Sequence, residues 1–126
     1  MQRIFLIALV PVILALAACQ TTPDLQSWDS GGEIRRAVGD TFTLRLTGNP
    51  RQEEDWMVVD YDPGIVEPMG KPELEIKSAG AGLAMVADYL FRFRVTGAGS
   101  TQLRLENRKE DPDSAPIDAF EVTVIG

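Results

Sequence analysis

The chain has 126 residues, 12 Lys or Arg against 19 Asp or Glu, and a formal net charge of −7. It holds no His and one Cys, which excludes an imidazole base, Ser-His and Cys-His catalytic arrangements, His- or Cys-built zinc sites and any intrachain disulfide. The acidic balance offers no basic surface to nucleic acid and sets the domain against anionic lipid headgroups.

Residues 1–18 read as an export signal. Met1-Gln2-Arg3 carries one positive charge, Ile4 to Ala18 is apolar, and small residues precede the cut. The apolar run is shorter than the ~20 residues of a spanning helix. Leu16-Ala17-Ala18-Cys19 resembles the lipobox of bacterial lipoproteins. That resemblance implies cleavage before Cys19, with lipid on its thiol and on the new amino group. More than one acyl chain is needed for durable anchoring, since each buried methylene contributes only ~0.8 kcal/mol. Gln20, rather than Asp, implies sorting to the outer membrane. Without Arg3 the processed chain has 11 basic against 19 acidic residues, a net charge of −8, so the membrane is reached through the lipid alone.

Residues 19–32 follow as a lipidated tether. The stretch is polar and bounded by Pro23 and Gly31-Gly32. Trp28 is its one large apolar residue, and partial packing on the domain is expected rather than on a partner.

From Glu33 the apolar period is two. Phe42, Leu44 and Leu46 share one face; so do Tyr89, Phe91, Phe93 and Val95, then Leu103 and Leu105, and finally Phe120, Val122 and Val124. This alternation predicts half-buried antiparallel strands. "WMVVDY", "IVEP" and "ELEIKS" add three shorter ones, and Gly, Pro and Asp clusters separate them. About seven strands in residues 33–126 predict one all-β domain, a two-layer antiparallel sandwich with Greek-key crossings.

Little here can carry catalysis. Asp60-Tyr61-Asp62-Pro63-Gly64 and the acids Glu110, Asp111 and Asp113 lack the spacing of a calcium loop and read as solvated turns. Paired-carboxylate hydrolysis needs a cleft that so small a domain rarely has. The expectation is a binding or structural module, with no enzyme activity, metal or cofactor.

Three features then occur in order. Ala37-Val38-Gly39-Asp40 and a strand lead to Gly48-Asn49-Pro50 with Trp56 beyond. Ala79-Gly80-Ala81-Gly82 precedes an aromatic alternating strand. Val95 to Leu105, "VTGAGSTQLRL", leads through a polar loop to "AFEVTVI". Together they resemble the chagasin family, small immunoglobulin-like inhibitors of papain-type cysteine peptidases, over Glu33 to Ile125. The resemblance implies three loops at one end of the sandwich that fill a peptidase cleft without reacting. The first corresponds to Asn49, Pro50, Arg51, Glu53, Glu54, Asp55 and Trp56. Its family form is Asn-Pro-Thr-Thr-Gly plus an aromatic, so bulky charges replace small residues here, and Trp56 can equally be the core aromatic of the next strand.

The second loop corresponds by composition to Gly80 and Gly82, whereas an ungapped count back from Val95 places it at Val86-Ala87. Leu83, Met85 and Ala87 share parity with Tyr89, which favours a longer strand over an exposed apolar loop. The third, Arg-Pro-Trp in the family, falls on Arg108, Lys109, Glu110 and Asp111, without its Pro and Trp. Two functions follow. One is a lipid-anchored inhibitor of a papain-like peptidase. The other is a non-inhibitory immunoglobulin-like module that binds another envelope protein through an acidic loop patch.

Overall fold

A computed structural model of the chain describes residues 23–82, 84–109, 113 and 115–126. The expected signal segment and the expected lipidation site Cys19, together with Leu83, Glu110 and Asp111, lie outside the described residues.

Nine strands, counted among the described residues, form two sheets. They are β1 (Leu25–Gln26), β2 (Glu33–Arg35), β3 (Thr41–Gly48), β4 (Glu54–Asp60), β5 (Val66–Pro68), β6 (Glu73–Ala79), β7 (Met85–Val95), β8 (Ser100–Lys109) and β9 (Asp118–Ile125). The first sheet runs β1-β3-β7, with β5 and β6 following one another along the far edge of β7. The second runs β2-β9-β8-β4. The seven strands read from the sequence are β3 to β9.

The two extra strands correct that reading. Leu25–Gln26, assigned to the tether, pairs in parallel with β3, and β2 pairs in parallel with β9, so both sheets are mixed. Each is held by one apolar side chain sunk into the core, Leu25 or Ile34. Asp24 adds an anchor, its Oδ2 accepting the Thr43 amide at 2.8 Å. Trp28 does the opposite of what was expected and is 76% exposed. It rides on a 3₁₀ turn, Ser27–Asp29, that buries none of its residues; the Asp29 carboxylate accepts the Gln26 amide at 2.8 Å.

The core is the set of alternating side chains, and its phase is as predicted. Phe42, Leu44, Leu46, Phe93, Val95, Leu103, Leu105, Phe120, Val122 and Val124 are each at most 1% exposed. Between the layers Phe42 stacks on Phe93 at 5.3 Å, and Phe93 lies 6.2 Å from Phe91. With no disulfide available, this apolar burial supplies the main favourable term of folding.

A cross-braced loop end

Three connections meet at one end of the sandwich: β3–β4, β6–β7 and β8–β9. The pairings put them there, since Gly48 lies opposite Ala87, Ala79 opposite Met85, and Glu54 opposite Lys109.

The β3–β4 loop is built by its own sequence. Asn49 Oδ1 accepts the Arg51 amide at 3.0 Å, and Pro50 opens a 3₁₀ turn, Pro50–Gln52, where its missing N–H leaves no bond unmade. The Glu53 amide closes that turn on Pro50 O at 3.2 Å, and Glu53 adopts φ 61°, the left-handed region. Counted from Asn49, Glu53 occupies the place of the family's glycine, so the backbone keeps the glycine conformation while carrying a carboxylate. A non-glycine residue there costs of order 1–2 kcal/mol.

Arg51, though exposed, directs its guanidinium at the neighbouring loop. Its Nη1 donates to the carbonyls of Gly80 at 2.7 Å, Gly82 at 3.2 Å and Ala84 at 3.4 Å. The β6–β7 loop turns these oxygens toward one point because the Gly80 amide closes on Ala84 O at 2.8 Å and Gly82 takes φ 66°. One guanidinium thus ties the first loop to the second. Gly80 and Gly82 belong to this loop, while Val86 and Ala87 lie within β7, which begins at Met85. The longer-strand reading holds from that residue.

Trp56 is not a contact residue of the loop. It is 3% exposed, and its Nε1 donates to Thr47 O at 3.0 Å. Trp56 and Tyr89 pack so closely over Gly48 that a Cβ there would meet Tyr89 at 3.0 Å. The core aromatic is therefore its role, as β4 parity requires.

Below the loops Tyr89 ties the two layers together and Asn107 ties β8 to β4 within the second sheet. The Tyr89 hydroxyl donates to Glu54 O at 2.8 Å, and Asn107 Nδ2 donates to Glu54 Oε1 at 2.9 Å. Asn107 is 3% exposed, and its backbone oxygen accepts the Ile117 amide at 2.7 Å, where the third connection returns. Sequence reading passed over it; the available signal was a polar residue on the inward parity of Leu103 and Leu105.

The charges divide into two groups. Arg108 closes on Glu106 at 2.8 Å, and these bonds, Arg108 first, hold the Glu106 carboxyl below its ordinary value. Glu53, Glu54 and Asp55 have no ion pair among the described residues, and burial pushes the Asp55 carboxyl up. Lys109 is exposed at the end of β8, opposite Glu54. Joint action of these acids with Glu110 and Asp111 falls outside the described residues.

Burial first, then the charges of Asp55 and Glu54, pushes the Tyr89 phenol up to about 12. The sign follows from proton counting. Between its ordinary 10.0 and about 12 the unfolded chain releases a proton that the folded chain keeps, so stability falls as pH rises through that window. Alkaline melting curves of Tyr89→Phe should lose part of this fall. At neutral pH the variant should be about 0.5–1.5 kcal/mol less stable, for the lost bond to Glu54 O.

The profile of the chagasin family of peptidase inhibitors, I42, matches residues 36–124. The chain belongs to the chagasin family. Its members are peptidase inhibitors, not enzymes. Among solved structures, a cysteine protease inhibitor from Entamoeba histolytica superposes with TM-score 0.66 at 12% identity, over 82% of this chain and 98% of that one. Amebosin gives 0.62 at 18% identity with the same coverage. PbICP-C, solved in complex with falcipain-2, gives 0.51 at 13% identity over 76% of this chain and 89% of that one. No curated protein matches the sequence. These superpositions establish a shared β-sandwich fold. The three connections at its loop end are the ones to which the family's inhibitory motifs were assigned above.

Proposed function

We propose that the loop end enters the active-site cleft of a papain-like cysteine peptidase and blocks it reversibly, without covalent chemistry. The observation that carries this is the Arg51 brace. Two loops held in one arrangement before binding lose less conformational freedom on docking. Family membership and the structural likeness to cysteine protease inhibitors, one of them seen with falcipain-2, support the same reading.

The exposed carboxylates of Glu53 and Asp55 work against close approach, because burying unpaired charge costs several kcal/mol. Titration of papain with the full chain should give reversible inhibition. Changing Glu53 and Asp55 to Ser, with Glu54 kept because its carboxylate holds Asn107, should tighten it by about tenfold, equivalent to 1.4 kcal/mol. If neither form inhibits at micromolar concentration, the second reading takes over: a non-inhibitory module that recognises a basic envelope protein through these acids. Association with such a partner should slow as salt rises, because exposed charges are screened beyond a Debye length of ~8 Å at 0.15 M.

The chain is further proposed to work from the membrane, exported and tethered at Cys19 in the bacterial outer membrane. Intact mass of the membrane fraction should show an acylated chain beginning at Cys19. A chain that keeps Met1 removes this part of the proposal and leaves the inhibitor reading standing.

A further inference from the structure

β6 forms part of the first sheet's edge beyond β7, and its inner face is left uncovered. Leu74 and Ile76 of β6 lie opposite Tyr89 and Ala87, and directly paired residues share a face. Tyr89 and Ala87 are buried in the core, so Leu74 and Ile76 also point inward. Yet they are 49% and 55% exposed. Nothing from the second sheet covers them, because that sheet ends at β4, whose outer edge pairs with no strand among the described residues. Between β4 and β6 lies a groove of about 830 Å³, with Leu74, Tyr89, Met57 and Val59 on its apolar side and loop 49–55 at its mouth.

We propose that this groove receives one extended segment of a partner chain, which adds as a strand to the free edge of β4. The segment has apolar side chains at alternate positions and Lys or Arg where it reaches the mouth. β4 offers Trp56 and Val58 for this: its register with β8 is unbroken from Glu54 to Val58 before the shift between Val58 and Asp60, while the Glu54 amide and carbonyl are already taken by Asn49 O and the Tyr89 hydroxyl. Edge strands that must not pair are usually blunted by a bulge, Pro or charged side chains; the stretch from Glu54 to Val58 has no bulge and no Pro, and its charges, Glu54 and Asp55, are acids that repel an acidic strand and admit a basic one. Strand addition supplies affinity through main-chain bonds and specificity through alternate side chains. The added side chains would cover Leu74 and Ile76.

Charge decides the occupant. The groove is lined by four acids, Glu53, Glu54, Asp55 and Glu106, and two bases, Arg108 and Lys109. Arg108 is drawn onto Glu106, which leaves three acids against Lys109 at the mouth. A second copy of this chain fits poorly: its own edges carry Glu54, Asp55 and Asp60 on β4, and Glu73 and Glu75 on β6, and would set acid against acid. A basic, alternating segment meets complementary charge instead.

The test uses the full chain and an alternating Lys-Val peptide of about eight residues, an ordinary strand length. Hydrogen exchange is followed with the peptide near saturation. The amides on the outer edge of β4, those of Trp56 and Val58, should exchange at least about tenfold more slowly, a step of 1.4 kcal/mol. Leu74→Ser and Ile76→Ser, both half-exposed sites that leave the core intact, should each weaken the peptide several-fold. The proposal is overturned by unchanged exchange at millimolar peptide, or by equal protection from a Glu-Val peptide. Protection confined to residues 73–79 overturns the choice of edge. Protection of these β4 amides that grows with the chain's own concentration, together with a dimer in sedimentation, assigns the groove to a second copy and overturns it as well. Papain inhibition is measured separately, so each reading can fail alone.

Discussion

Phe93→Ala is expected to cost about 3–5 kcal/mol, a large share of what a small domain has to lose. Phe93 is fully buried and holds the middle of the stack, with Phe42 at 5.3 Å and Phe91 at 6.2 Å. Truncation removes its own transfer energy and leaves a cavity that two rings on neighbouring strands cannot both close. The adjacent Arg92 is exposed on the outer face of β7, and Arg92→Ala should stay within about 1 kcal/mol. Urea melts of the two variants make the comparison. Equal losses would mean that the strand phase is wrong.

Arg51→Ala should act on the site with little effect on the whole. The guanidinium is exposed, and water can replace it at three carbonyls, so the melting midpoint should move by less than about 1 kcal/mol in stability. The β6–β7 loop should respond strongly, because Arg51 is the side chain that gathers Gly80, Gly82 and Ala84. Faster amide exchange at residues 80–84, with no change in β8 or β9, is the expected signature. Arg51→Lys should restore it only in part, since an ammonium lacks the planar fork of the guanidinium.

Core parity was legible because it is local. Each strand from Phe42 to Val124 carries its own alternation, and burial of one face follows wherever a second layer exists. The parallel strands β1 and β2 were not legible: Leu25 and Ile34 are single apolar residues in polar surroundings, and only distant partners turn them into strands. "ELEIKS" could be read as a strand, but its uncovered inner face depends on where the opposite sheet ends.

The site divides the same way. Asn49-Pro50 and the glycines of the second loop announce turns through local chemistry. The role of Arg51 depends on carbonyls 29 to 33 positions away, and the sequence alone shows only a bulky charge in place of a small residue. Trp56 was ambiguous until β3, β4 and β7 were placed together, and Asn107 needed the third connection to reveal its inward contacts.

If the braced loop end is the inhibitory surface, the inhibition constants of the full chain and of Arg51→Ala, measured side by side against papain, report it most directly. Reversible inhibition by the wild type, weakened by about tenfold or more in the variant with an unchanged melting midpoint, is the predicted result. Equal inhibition by both, or none by the wild type, would contradict it.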